Sequence, residues 1–132
     1  MITMTPGFVN GAPRILLQAE ALAIAVASIV AFGQSGESWW LFAAFILAPD
    51  LSMLFYLAGP RLGAACYNAV HIYLGPILLF GAGMALGAPL ASTLALIWSA
   101  HIGTDRTLGY GLKYGDGFAF THLGRIGRQP PG

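Results

Sequence analysis

Five ionisable residues interrupt stretches of this sequence that are otherwise apolar: Glu20, Asp50, His71, His101 and Asp105. Imidazole and carboxylate together make a ligand set suited to zinc, iron or manganese, and water bound to such a divalent ion can be activated near neutral pH. The same groups can also relay protons. His101 and Asp105 are four residues apart and share one helical face, and Asn68 and His71, three apart, share another. Tyr67, Asn68 and Arg106 add hydrogen-bonding groups to the lining. A helical His-x3-Asp pair is not a strong motif alone, and the repeated Glu-x-x-His pairs of a di-iron bundle are absent. The positions of His71 and His101 also allow a bis-histidine haem. The alternative to all of these is a polar lock, in which the groups satisfy one another and only fix helix register.

The elements that must position these residues are membrane helices. The 132 residues are 57% hydrophobic and 8% charged, too little polar surface to cover a water-soluble globule, so the chain reads as one domain in lipid. It is expected to be all-α and polytopic, an antiparallel bundle of four transmembrane helices at about 14–33, 39–57, 62–86 and 89–106, with a polar glycine-rich tail over 107–132. The polar turn 33–38 separates the first two helices, and Trp39-Trp40 suits the lipid–water boundary. Gly59-Pro60-Arg61 and Gly87-Ala88-Pro89 supply the remaining turns, and Pro76 predicts a kink in the third helix. Pro49 should loosen the second helix beside Asp50 and free a carbonyl nearby. The first apolar run reads as a retained span, because only Arg14 precedes it and Glu20 interrupts it where a signal peptide would be uniform.

On that topology all six basic residues (Arg14, Arg61, Arg106, Lys113, Arg125 and Arg128) fall on one side, and the opposite loops carry Glu37 alone. The positive-inside rule then places both termini in the cytoplasm and the chain, multi-pass, in a cell inner membrane. Counting inward from the arginines at about 1.5 Å per residue puts Glu20 and His101 about 7 to 9 Å deep, and His71 and Asp50 about 15 Å. All lie in the cytoplasmic half. An ionised group at the centre of a membrane helix costs about 2.5 to 3.5 kcal/mol, so the five should face inward and meet.

Other signals narrow the function. A net charge of +1 provides no basic field for nucleic acid. Cys66 alone permits no intrachain disulfide and reads as helix filler. Thr107-Leu108-Gly109-Tyr110-Gly111 looks like a potassium-filter sequence, but it follows the last span and lacks the second membrane helix a filter needs. Its glycines are better suited to a tight turn. The GxxxG spacing of Gly83 and Gly87 raises dimerisation only weakly, at a helix end. The tail, with Tyr110, Lys113, Tyr114, Phe118, Phe120, His122 and Arg125, reads as an interfacial segment or, alternatively, as a lid folded back over the site.

Glu20, Pro49-Asp50-Leu51-Ser52-Met53, Tyr67-Asn68 with His71 and Pro76, and above all the run from His101 to Gly127 resemble a family of small four-helix bacterial membrane proteins grouped as a domain of unknown function. The resemblance spans about residues 14–128. It implies the fold and the membrane location and leaves the activity open. The leading expectation is therefore a divalent-metal site open to the cytoplasmic face, with Glu20, Asp50, His71, His101 and Asp105 as ligands or acid–base groups, serving an enzyme of lipid or small amphipathic substrates. The rivals are a proton-linked transporter or channel subunit, and an accessory subunit of a larger membrane complex. The expected partners are the bilayer and further copies of the chain or other membrane subunits.

Overall fold

A computed structural model describes residues 11–112, and the backbone alone of 120–121 and 124–125. The described residues are helical apart from one short ladder. In chain order they form α1 (Gly11–Gln34), α2 (Trp39–Phe45), a 3₁₀-helix (Ala48–Ala58), α3 (Pro60–Val70), α4 (Leu74–Ala85), α5 (Pro89–Thr107), β1 (Phe120–Thr121) and β2 (Gly124–Arg125). The strands pair antiparallel, Phe120 opposite Arg125 and Thr121 opposite Gly124. The tail residues expected to form a lid or an interfacial segment, Lys113, Tyr114, Phe118 and His122, lie outside the described residues.

Three segments are long and apolar enough to cross a membrane: Gly11–Gln34, Trp39–Ala58 and Pro60–Ala85. The fourth expected span, α5, is not among them. Its 19 residues include Ser92, Thr93, Ser99, His101, Thr104, Asp105 and Arg106, and it packs between α1 and α4. Burial between neighbours lets a helix carry polar groups that lipid would penalise.

Two of the expected helices are broken, and proline explains both breaks. Pro49 has no N–H to offer the carbonyl four residues back and its ring crowds that carbonyl. The α-helix accordingly stops at Phe45, and the chain resumes as a 3₁₀-helix, Asp50 N–H donating to Leu47 at 3.0 Å. Pro76 acts in the same way on Ile72: α3 ends at Val70 and α4 begins at Leu74, so the kink expected at Pro76 is a full interruption just before it. Carbonyls freed in an apolar interior need donors. Side chains of α5 provide them: Trp98 Nε1 donates to Val70 at 2.6 Å and Arg106 Nη2 to His71 at 3.3 Å.

Small residues set the closeness of the packing. Ala21, Ala25, Ser28 and Phe32 form the one buried stripe of α1, at i, i+4, i+7 and i+11. They meet α5 where a Cβ on Gly103 would lie 2.6 Å from the Ala21 carbonyl oxygen and 2.9 Å from the Ala25 Cβ. Helix contact through small residues is the usual solution in lipid. Gly83 packs against Ser92 across the α4–α5 turn, and Gly87 takes φ +65° within it. The GxxxG glycines thus serve a turn inside the chain. The 3₁₀-helix packs along α3, while α1 and α4 pack along α5. Among the described residues, the site lies where the 3₁₀-helix and the end of α3 meet α5.

Candidate metal centre

Asp50, His71, His101 and Asp105 meet there, two from the 3₁₀-helix and the end of α3 and two from α5, with one ligand atom of each within 4.8 Å of all the others. His71 Nε2 lies 3.1 Å from His101 Nε2, 3.3 Å from Asp50 Oδ1 and 3.5 Å from Asp105 Oδ2. His101 Nε2 lies 3.0 Å from Asp50 Oδ1 and 3.1 Å from Asp105 Oδ2. Five of the six separations among four atoms are thus 3.0–3.5 Å. Four ligands bonded tetrahedrally at about 2.0 to 2.1 Å stand about 3.3 to 3.4 Å apart. Those five separations bracket the tetrahedral spacing, and the sixth, between the two carboxylates, lies within 4.8 Å.

The other ring nitrogens fix how the imidazoles point. His71 Nδ1 sits 2.8 Å from the Tyr67 carbonyl, and His101 Nδ1 sits 2.5 Å from the Ile46 carbonyl. A carbonyl only accepts, so both Nδ1 atoms carry the proton and, in the neutral rings, both Nε2 atoms present lone pairs. Carbonyl-oriented histidine is the arrangement that surrounds bound metals. The Ile46 carbonyl is available because the α-helix ended at Phe45. The break beside Pro49 therefore places Asp50 and also orients His101.

Tyr67 completes the wall. It is buried, its ring stacks on His71 with centroids 3.7 Å apart and planes 6° apart, and its hydroxyl faces Asp105 Oδ2 at 3.5 Å. The histidine side chains are each 3% exposed, against 35% for Asp50 and 20% for Asp105, so the cluster opens on its carboxylate side. Asn68 is half-buried, and its backbone carbonyl accepts the His71 backbone N–H. Arg106 lies with its guanidinium 4.9 Å above the Tyr73 ring.

Glu20 does not join the cluster. It precedes Ala21, the first residue of the buried α1 stripe, by one position, and about 100° of rotation leaves it exposed. Depth counted along the chain grouped Glu20 with His101 and set His71 deeper, whereas the structure joins His101 to His71. Helix breaks and rotation decide convergence, and a residue count contains neither. The bis-histidine haem is also overturned: axial nitrogens on opposite sides of an iron stand about 4 Å apart at bonds of about 2 Å, beyond the 3.1 Å between these Nε2 atoms.

Sequence reasoning expected a freed carbonyl near Asp50 without naming Ile46, and it missed the Tyr67 C=O, which leaves no side-chain signal, together with Trp98 and Gln18. Gln18 Nε2 donates to the Arg106 and Thr107 carbonyls at 3.3 and 3.2 Å, closing the end of α5. Its signal was a lone amide in an apolar run. Beyond Thr107 the helix ends in a Schellman turn, with Tyr110 N–H on Asp105 C=O, Gly109 N–H on Arg106 C=O, and Gly109 at φ +91°. The filter-like sequence is this cap.

The family model described as a domain of unknown function (DUF4260) matches residues 14–126. The chain belongs to that family. Its model covers all four clustered residues and, as far as Ile126, the C-terminal run that carried the resemblance. No curated protein and no solved structure matches the chain.

Proposed function

We propose that this chain is a multi-pass protein of the bacterial inner membrane, both termini cytoplasmic, that binds one divalent transition ion through Asp50, His71, His101 and Asp105. The observation that carries the reading is the convergence of four lone-pair-bearing atoms while both Nδ1 protons are spent on backbone carbonyls. With neutral imidazoles, four such atoms, five of whose six separations are 3.0–3.5 Å, repel one another unless a cation lies among them. A divalent ion with two carboxylates and two neutral imidazoles has zero net charge, the cheapest state for a site inside an apolar bundle. Spacing near the tetrahedral and mixed nitrogen and oxygen ligands favour zinc over iron or manganese. The arginines flanking the helices support the orientation.

The exposed carboxylate side supports an enzyme that uses the ion to polarise or hydrolyse a lipid or small amphipathic substrate at the inner leaflet. A second reading, a carrier, is favoured by the two-plus-two origin of the ligands, since movement of the 3₁₀-helix and α3 against α5 would open the shell. Elemental analysis of detergent-purified protein decides the shared premise. Near one equivalent of metal is expected in the native chain and none in His101→Ala or Asp50→Ala, and cobalt(II) exchanged into the native site should show the intense visible bands of tetrahedral coordination. A native chain free of metal, binding neither zinc nor cobalt on titration, overturns the proposal.

A further inference from the structure

Near the cluster lies an open cavity of about 300 Å³ whose walls are almost wholly apolar. Phe45, Pro49, Val70, Ile97 and Trp98 line it. Pro49 adjoins Asp50, Val70 adjoins His71, and Ile97 and Trp98 lie about one turn before His101, so the cavity and the ligands share the same three stretches of chain. The Trp98 Nε1 that could have served a polar ligand is committed to the Val70 carbonyl. What remains for a guest is hydrocarbon contact.

The charge at the adjoining end is of the opposite character. Two carboxylates and a divalent ion sum to zero, and Arg106, joined to the His71 carbonyl, adds one positive charge with no carboxylate at salt-bridge distance among the described residues. Arg106 Nε is buried and without a hydrogen-bond partner among them. With an ion bound, the cluster and Arg106 would carry one net positive charge beside an apolar pocket lined by the chain neighbours of Asp50 and His71.

We infer that the cavity and the cluster together bind a monoanionic amphiphile, its hydrocarbon chain in the cavity and its anionic oxygen head at the ion and Arg106. This rests on the metal reading above and names the substrate class of that site. A bilayer-spanning protein meets such molecules in its own solvent, and this open groove has, within one to four residues of its lining on three stretches of chain, a charged centre able to select the head. The ion polarises the head while the apolar walls hold the chain in register.

The test uses zinc-loaded protein in detergent with Trp39→Phe and Trp40→Phe, which leaves Trp98 as the one tryptophan of the original three. Dibromostearate, whose bromines quench indole on contact, should quench Trp98 saturably. Its methyl ester, brominated phosphatidylcholine, and the acid applied after chelation should each bind about tenfold or more weakly, because each removes one side of the charge pairing. Ala48→Phe, which fills the cavity, should abolish saturable quenching while zinc content stays unchanged. On the native chain, a fatty acid with a diazirine in its chain should label Phe45, Val70 or Ile97 and be competed by stearate. Zinc bound together with non-saturable quenching, or with equal binding of acid and ester, overturns this inference and leaves the metal site standing. Absence of zinc binding removes both.

Discussion

Two pairs of polar side chains on α5, Ser92 with Thr93 near its start and His101 with Asp105 near its end, are treated in opposite ways. Near its start, Ser92 Oγ donates to the Phe80 carbonyl at 3.2 Å and Thr93 Oγ1 to the Pro89 carbonyl at 2.9 Å, so each hydroxyl spends its proton on nearby backbone. Near its end, His101 and Asp105 join Asp50 and His71 in a group whose inward-facing atoms, carboxylate oxygens and imidazole Nε2, are all acceptors when the rings are neutral. The first end is finished by its own hydrogen bonds and the second is not. A buried polar group satisfied by backbone is architecture, and a buried group of like partners, each held in place by outer hydrogen bonds, is a site prepared for something else.

The contrast is sharpest under metal removal. If the ion completes the second end, a chelator should lower the thermal stability of the native chain by an amount that grows with the logarithm of free ion, about 4 kcal/mol at an ion concentration 1,000 times Kd. The start of α5 predicts no such term. Equal melting of the native chain with and without chelator, at saturating zinc, would make the two ends alike.

Ligand variants come next. Asp50→Asn and His101→Gln should weaken zinc binding by about 100-fold or more, beyond the usual effect of outer-shell changes, whereas Glu20→Gln, on the exposed face of α1, should leave the zinc isotherm unchanged. An intact isotherm in Asp50→Asn would remove that carboxylate from the coordination shell.

Tyr67→Phe probes the orienting layer. It keeps the ring stacked on His71 and deletes the hydroxyl facing Asp105, so zinc affinity should fall by up to about tenfold with the fold retained. Dissociation constants from competition with a chelating dye would read this. The smallest effect belongs to the start of α5: Ser92→Ala should cost about 1 kcal/mol or less of stability and nothing in zinc affinity. A large loss of zinc there would mean that packing near the turn, rather than the local chemistry of the cluster, governs the site.

The sequence by itself determined that the chain is helical and suited to a membrane, because apolar composition and span length depend only on residue type. It also marked the family run, the proline positions and four of the clustered residues, since an ionisable group in an apolar run is visible one residue at a time. The break ahead of Pro76, the 3₁₀ stretch after Pro49 and the exclusion of Glu20 were decided by tertiary structure. A proline announces a lost hydrogen bond without saying where the helix will part, and one residue of rotation separates Glu20 from the buried stripe that begins at Ala21. Most of all, tertiary structure supplied the Ile46 and Tyr67 carbonyls that turn two histidines toward one point. Backbone acceptors are present at every position of every sequence, and only the fold selects which of them a given side chain reaches.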